Sequence, residues 1–129
     1  MNIKNKKSLG QNFIFDKNFL KKISNFIETN SNNILIEIGP GLGTLTEFLY
    51  KKKFKKLILI EKDSRLLDNL NSAYCSNKVG IFNEDALNFD FQLNDLKNSI
   101  IVGNLPFNIS VDLLYIWTKL KKWPPNQVK

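Results

Sequence analysis

Apolar residues recur along this chain at two different spacings, and the spacing predicts which segments form helices and which form strands. Positions such as Phe19, Ile23 and Ile27 follow a helical repeat, which predicts an amphipathic helix that begins at Lys17. Four short, nearly continuous apolar runs are typical of strands that are covered on both faces. The predicted strands are residues 34–38, 57–60, 79–82 and 99–102.

The segments between these strands have the pattern of helices. Residues 44–53 are a predicted helix, and a cap at Asp63 or Ser64 would begin the next one, which runs through Leu70. The last predicted helix, 111–122, is ended by two prolines. Alternating strands and helices predict an α/β fold with a Rossmann-like parallel sheet and right-handed crossovers.

Sheets of this kind usually have more than four strands. We therefore expect a parallel sheet that is incomplete in its C-terminal half, in which the fourth strand lacks its usual neighbour. An unpaired strand edge of this kind is an association hazard.

The composition excludes several kinds of chemistry. The 129 residues include no histidine, which removes Ser-His and Cys-His catalysis and histidine-ligated metals, so no metal site is expected. Cys75 is the only cysteine, which excludes an internal disulfide and a thiolate cluster for zinc. No apolar segment is long enough for a signal peptide or a membrane span, so a cytoplasmic protein without a membrane anchor is predicted.

The charge balance points to acidic partners. The net charge is +7, and Arg65 is the only arginine, so lysine supplies the rest of the positive charge. This balance favours nucleic acid or a ribosome surface as a partner. The lysines at 51–53 and 55–56 lie at and just after the end of the predicted helix 44–53, and their simplest interpretation is a solvated helix end.

A glycine-rich turn lies between the first predicted strand and its helix. Gly39, Gly41 and Gly43 alternate there with other residues, and Pro40 lies inside the turn. Glycines at such a junction allow a tight turn and a close approach of the backbone to a ligand. The spacing differs from the dinucleotide fingerprint, which has two residues before its last glycine.

Polar side chains follow the other predicted strands. Glu61 ends the second strand about twenty residues beyond the glycines, where a carboxylate can accept hydrogen bonds from ribose hydroxyls. Asp85 follows the third strand, and a nucleoside contact is favoured there over a helix cap or a loop charge. The carboxyl ends of parallel strands share one edge of the sheet, so these groups predict a nucleotide-like ligand at that edge.

The fourth strand ends in Asn104-Leu105-Pro106-Phe107 at the same predicted edge. The Asn side-chain carbonyl and the Pro backbone carbonyl can both accept from an exocyclic amine, and Pro106 fixes the local chain direction. Phe107 offers a face on which an extruded base can stack, which typically stabilises binding by about 1–3 kcal/mol. These four residues predict a clamp for the amino edge of a flipped purine or cytosine.

Five stretches together resemble the small-subunit (16S-type) rRNA adenine N6,N6-dimethyltransferase family: KSLGQNFIFD, EIGPGLGTLTEFL, LIEKD, EDALNFDF and NLPFNIS. They occur in the family's order over about residues 6–125. The resemblance implies a class I S-adenosylmethionine-dependent methyltransferase fold. It also implies methylation of two adjacent adenines near the 3′ end of small-subunit rRNA during ribosome biogenesis.

The domain layout and the partners also follow from the resemblance. It implies that residues 1–129 are a partial methyltransferase domain, with an N-terminal motif segment at 1–16 and βα units at 17–125. The resemblance also implies that the helical C-terminal domain of the family is absent from this sequence. The implied partner is small-subunit rRNA or a precursor of the small ribosomal subunit, without a metal, and the chain is expected to be a monomer.

The family's roles can be placed on residues of this sequence. Asn12 and Ile14 would contact the methionine end of the cofactor, and Asp85 with Ala86 would contact its adenine ring. Asn104, Leu105, Pro106 and Phe107 would hold the target adenine, although the family usually has Tyr in place of Phe107. The residues assigned to S-adenosylmethionine are Asn12, Ile14, Gly39, Gly41, Glu61, Asp85, Ala86 and Asn104.

Three other functions compete with this one. A large-subunit rRNA adenine methyltransferase of the antibiotic-resistance type shares the glycine turn and the clamp. An NAD-dependent oxidoreductase is disfavoured by the glycine spacing and does not explain the clamp. A non-catalytic RNA-binding or assembly module would fit the positive charge.

Overall fold

The computed structural model describes residues 16–91, 98–105 and 107–119, together with the backbone of residues 127–128. Helices and strands alternate in this part of the chain, as the apolar pattern predicts. The elements in chain order are α1 (Lys17–Asn25), β1 (Ile34–Ile38), α2 (Thr44–Tyr50), β2 (Lys56–Ile60), a 3-10 turn (Ser64–Leu66), α3 (Leu67–Ala73), β3 (Val79–Phe82), β4 (Ser99–Gly103), α4 (Phe107–Thr118) and β5 (Gln127–Val128).

The described strands form one parallel sheet in the order β3-β2-β1-β4-β5. The register is level across its centre, because Ile38 lies beside Ile60 on one side and beside Gly103 on the other. As a consequence β1, β2 and β4 end together at one edge. The segments that follow these strands are therefore neighbours in space.

The expectation that β4 lacks a neighbour is wrong over part of its length. Gln127 pairs with Ile100 and Val128 pairs with Ile101, both in the parallel direction. The physical reason is that α4 carries the chain back to the amino end of the sheet, so a following strand can pair in parallel. The two-residue strand covers part of the edge of β4.

Helix boundaries depart from the apolar pattern by a few residues. Helix α2 ends at Tyr50, and α4 begins at Phe107, earlier than the predicted residue 111. The predicted cap at Asp63 is confirmed, since its side chain accepts from the backbone N–H of Arg65 and its carboxylate also pairs with the Arg65 guanidinium. Boundaries are set by such local hydrogen bonds, which apolar periodicity does not report.

The core has two parts because successive strand residues point to opposite faces of the sheet. Leu57 and Leu59 pack on the face covered by α1, α2 and α3. Ile58 and Ile60 pack on the other face, against α4 and the segment that follows β3. Both parts are apolar and buried, so the sheet is covered on both faces, as continuous apolar strand sequences require.

Four aromatic rings pack edge to face under the second face. The ring centroids of Phe82 and Phe89 are 5.5 Å apart, those of Phe89 and Phe91 are 5.0 Å apart, and those of Phe91 and Trp117 are 5.5 Å apart. Phe91 is central in this row and only 1% exposed. The row joins the segment after β3 to α4, where Trp117 is a buried packing residue.

Phe91→Ala is expected to lower the free energy of unfolding by about 3–5 kcal/mol, because it leaves a cavity between the rings of Phe89 and Trp117. Urea unfolding followed by circular dichroism measures this change. Phe26→Ala is the matched control, since Phe26 is 76% exposed, and it should cost less than about 0.5 kcal/mol. Equal losses for the two variants would contradict the packing described here.

Candidate cofactor and substrate site

Four residues assigned from sequence follow the carboxyl ends of four adjacent strands. Gly39, Glu61 and Asn104 come directly after β1, β2 and β4, and Asp85 comes three residues after β3. Backbone hydrogen bonds continue past the strand ends, since Gly39 N–H donates to the Ile60 carbonyl at 2.9 Å. We call this edge, defined by Gly39, Glu61, Asp85 and Asn104, the carboxyl rim. Open α/β sheets bind ligands at such an edge.

The glycine turn has a backbone conformation that side chains rarely adopt. Gly39, Gly41 and Gly43 have φ angles of 67°, 59° and 82°, in the left-handed region. The Gly43 N–H donates to the Pro40 carbonyl at 2.9 Å, which closes the turn, and Gly43 is the N-cap residue of α2. The Tyr74 hydroxyl donates to the Gly43 carbonyl at 3.2 Å and ties the turn to the end of α3.

Glu61 joins the second strand to the glycine turn. One carboxylate oxygen accepts from the Gly41 N–H at 2.9 Å, and the other accepts from the Asp63 N–H at 2.8 Å. The residue is 3% exposed, and this burial raises the pKa of its carboxyl although both backbone hydrogen bonds lower it. A carboxylate has about four acceptor positions, so two donors leave positions for further hydroxyl groups.

Asp85 lies at the rim with a cation beside it. Its carboxylate accepts from the Lys62 ammonium at 2.9 Å and from the Leu87 N–H at 3.0 Å. Partial burial opposes ionisation, but these hydrogen bonds and the Lys62 charge outweigh it, so the pKa of Asp85 is lowered. Ala86 is buried beneath it, in the core part that contains Phe91. The carboxylate is thus ionised and held in place by Lys62, a residue that the sequence pattern does not single out.

Leu105 links the clamp to the glycine turn. A Cβ added at Gly39 would lie 3.3 Å from Leu105 Cδ2, and one added at Gly103 would lie 3.0 Å from Leu105 Cγ. A side chain at Gly39 is disfavoured by the φ of 67°, and at both positions it would press on Leu105. This packing sets the position of the half-buried Asn104 next to the turn that follows β1.

Some residues assigned from the sequence have no described side chain at the rim. Asn12, Ile14 and Pro106 lie outside the described residues. Phe107 is described only as the first residue of α4. Their assigned roles stay predictions.

Glu37 is a second buried carboxyl group near the rim, and the sequence pattern assigned it no role. It is 2% exposed, and it accepts from the Thr46 hydroxyl of α2 at 2.6 Å. Burial raises its pKa to about 8; the Thr46 hydrogen bond opposes this rise, and the Glu61 charge adds to it. The signal in the sequence is a carboxylate inside an otherwise apolar strand.

The described residues give no sign of a metal centre or a membrane span. No group of three His, Cys, Asp or Glu side chains within this part of the chain could hold a metal ion. No helix in it is long and apolar enough to cross a membrane.

Solved structures with the same architecture identify the class of fold. A dimethyladenosine transferase from Plasmodium falciparum superposes with a TM-score of 0.69 and 28% identity, over 81% of this chain and 38% of that chain. The 23S rRNA methyltransferase ErmE superposes with a TM-score of 0.71 and 22% identity, over 85% of this chain and 44% of that chain. The fold is that of the class I S-adenosylmethionine-dependent methyltransferases, as predicted.

Sequence comparison identifies the family within that class. The sequence profile of the ribosomal RNA adenine dimethylase family matches residues 2–128, and the chain belongs to this family. It is 43% identical over 112 residues to ribosomal RNA small subunit methyltransferase A of Hydrogenobaculum, and 42% identical over 118 residues to that of Pelagibacter ubique. These matches cover 87% and 91% of this chain. The resemblance predicted from the five sequence stretches is confirmed.

The chain spans less than half of the length of these relatives, 43% for Hydrogenobaculum and 44% for Pelagibacter ubique. Their names favour the small-subunit branch over the large-subunit branch. ErmE, at 22% identity, shows the shared fold only.

Proposed function

We propose that this chain contributes the cofactor site and the target-base clamp of an rRNA adenine N6,N6-dimethyltransferase that acts on small-subunit rRNA. The observation on which this proposal depends is the carboxyl rim, where a glycine turn held by Glu61 lies beside the strand that presents Asn104. The names of the relatives support the substrate class.

The rim residues fit S-adenosylmethionine by their hydrogen-bonding chemistry. The left-handed glycine turn leaves the backbone open to the amino-acid part of the cofactor, and Glu61 has acceptor positions for the two ribose hydroxyls. Asp85, held ionised by Lys62, can accept from the exocyclic amine of the cofactor's adenine. Asn12 and Ile14 would contact the methionine end. When bound, the cofactor supplies a methyl group that its sulfonium already activates.

The clamp would position the target amine without acid–base catalysis. The Asn104 side-chain oxygen and the Pro106 carbonyl would accept from the N6 amine of adenine and direct its lone pair, while Phe107 would stack on the ring. Leu105 fixes this arrangement through its contacts at Gly39 and Gly103. The proton released after attack can pass to water, which agrees with a chain that has no histidine.

Asn104→Ala is expected to reduce methyl transfer by about 100-fold or more, because it removes a positioned acceptor at the reacting amine. The assay measures tritium transfer from labelled S-adenosylmethionine to small ribosomal subunits that lack the two dimethyladenines. Asn71→Ala is the matched control, since Asn71 is exposed on α3, and its activity should equal that of the unmodified chain. Equal methyl transfer by Asn104→Ala and by the unmodified chain would contradict the proposed clamp.

We also propose that the chain is a monomer in the cytoplasm and acts on a precursor of the small subunit. The net charge of +7 supports association with the phosphate backbone of rRNA. Light scattering during size-exclusion chromatography tests the monomer, and activity on precursor particles against mature subunits tests the stage of assembly.

A further inference from the structure

A basic pocket lies at the end of the sheet opposite the carboxyl rim. Its walls come from the segments that precede β1, β2 and β3, so it opens at the amino ends of these strands. Its volume is about 410 Å³. We call it the lysine pocket; the lining residues that matter here are Ser31, Tyr50, Lys52, Lys53, Ser76 and Lys78.

Hydrogen bonds fasten the three loops of the lysine pocket to one another. The Lys55 N–H donates to the Asn33 carbonyl at 2.8 Å and joins the loop before β2 to the loop before β1. The Leu57 N–H donates to the Lys78 carbonyl at 2.8 Å and joins the loop before β3 to the beginning of β2. The pocket is therefore largely formed before any ligand binds, which lowers the entropic cost of binding.

Three lysines line this pocket, and no Asp or Glu is among its described lining residues. By contrast, Lys51 lies 3.8 Å from Glu47, and Lys62 lies 2.9 Å from Asp85. Like charges that converge on one site repel one another and attract counter-ions. The sequence suggests a solvated helix end for Lys52 and Lys53, but Lys78 comes from a different connection and meets them in the fold.

The donors of the lysine pocket suit phosphate groups better than bases. Lysine is a compact charge that binds phosphate oxygens, and the two serine hydroxyls can donate beside it. Ser76 Oγ accepts from the Lys78 N–H at 3.2 Å, so its own hydrogen can be donated to a ligand. Tyr50 packs edge to face on Tyr74, with ring centroids 5.2 Å apart, and acts as a wall rather than as a stacking platform.

We propose that the lysine pocket binds phosphodiester groups of an RNA strand at a point remote from methyl transfer. The choice of RNA among phosphate-bearing ligands rests on the proposed function. Such a contact would add affinity and orient the strand without reading its sequence. It would also make RNA binding depend on salt through residues that do not touch the cofactor.

The test replaces Lys52, Lys53 and Lys78 together by Gln in the full chain. Binding of a 12-nucleotide poly-uridine strand is measured by fluorescence anisotropy between 25 and 200 mM salt. Single-strand binding has a log–log salt slope of about −0.7 per phosphate contact, so losing three contacts should reduce the slope by about 2. The control triple variant, with the same charge change on exposed lysines outside the pocket, is Lys21→Gln, Lys22→Gln and Lys119→Gln.

The pocket variant should lose about 10-fold or more in RNA affinity at low salt. The control variant should lose less than about 3-fold. Equal losses in the two triple variants would overturn the proposal, because net charge alone would then explain binding. Polyglutamate of the same length that competes as well as RNA would also overturn it, since the site would then not be selective for phosphate. S-adenosylmethionine affinity of each variant is measured separately and should be unchanged, so a failed cofactor site and a failed lysine pocket give different results.

Discussion

Glu61→Ala is expected to weaken S-adenosylmethionine binding by about 100-fold or more. Two ribose hydroxyls would lose a charged acceptor, and each such hydrogen bond contributes about 1.5–3 kcal/mol. The same change also removes the acceptor of the Gly41 and Asp63 N–H groups. Each unsatisfied buried donor costs about 1–3 kcal/mol, so the free energy of unfolding should fall as well.

Glu61→Gln separates the binding effect from the folding effect. The amide oxygen can still accept from one of the two N–H groups, so the variant should keep more of the fold than the alanine variant does. It removes the negative charge and one acceptor, so cofactor affinity should still fall about 10-fold or more. Glu28→Ala is the surface control, because Glu28 is exposed, and its affinity should match the unmodified chain. Full affinity in Glu61→Gln would contradict the ribose role.

Unfolding free energy is expected to decrease as pH rises from about 5 to about 8.5. Burial raises the pKa of Glu37 from 4.5 to about 8, so between these values the folded chain binds more protons than the unfolded chain. The stabilisation is full below the unfolded pKa and is lost as pH rises through the folded pKa. Each tenfold difference in proton affinity between the folded and unfolded chain corresponds to about 1.4 kcal/mol, so the decrease should be roughly 2–5 kcal/mol.

Two other carboxyl groups affect this pH profile differently. The pKa of Glu61 is raised by burial, so it adds a decrease of the same sign. The pKa of Asp85 is lowered from 3.8, so its contribution changes only at more acidic pH, outside this window. Glu37 is therefore the main expected source of the slope near neutral pH.

Urea titrations at pH 5.5 and 8.5 measure this dependence, and Glu37→Gln identifies its source. The neutral amide can still accept from the Thr46 hydroxyl, so the variant should have a flatter profile and exceed the unmodified chain in stability at pH 8.5. Glu47→Gln, on the solvent side of α2, is the control and should keep the slope, because exposed ion pairs contribute little. An unchanged slope in Glu37→Gln would contradict the raised pKa.

The positions of the first four strands along the chain and the location of the site could be predicted from the sequence because both depend on local patterns. Continuous apolar runs specify strands covered on both faces, and the residue that follows each run then lies at a common edge. This reasoning identifies Gly39, Glu61 and Asn104, and the level register of the strands brings them to the carboxyl rim.

Features that depend on contacts between distant residues could not be predicted. The tight space beside Gly103 arises from Leu105 and from the Ile38 carbonyl on the neighbouring strand, which no local pattern reports. The raised pKa of Glu37 requires knowledge of its burial and of Thr46 on α2. The lysine pocket likewise needs loops that are about 25 residues apart to meet, so charge runs alone suggested only a solvated surface.

The most direct test of the central claim is a calorimetric titration of the chain with S-adenosylmethionine, with NAD as the competing nucleotide and Glu61→Ala as the second protein. We predict that the folded chain binds S-adenosylmethionine, does not bind NAD at the same concentrations, and loses the binding in the variant. A chain that circular dichroism shows to be folded, and that binds NAD equally well or does not bind S-adenosylmethionine, would contradict the cofactor site at the carboxyl rim.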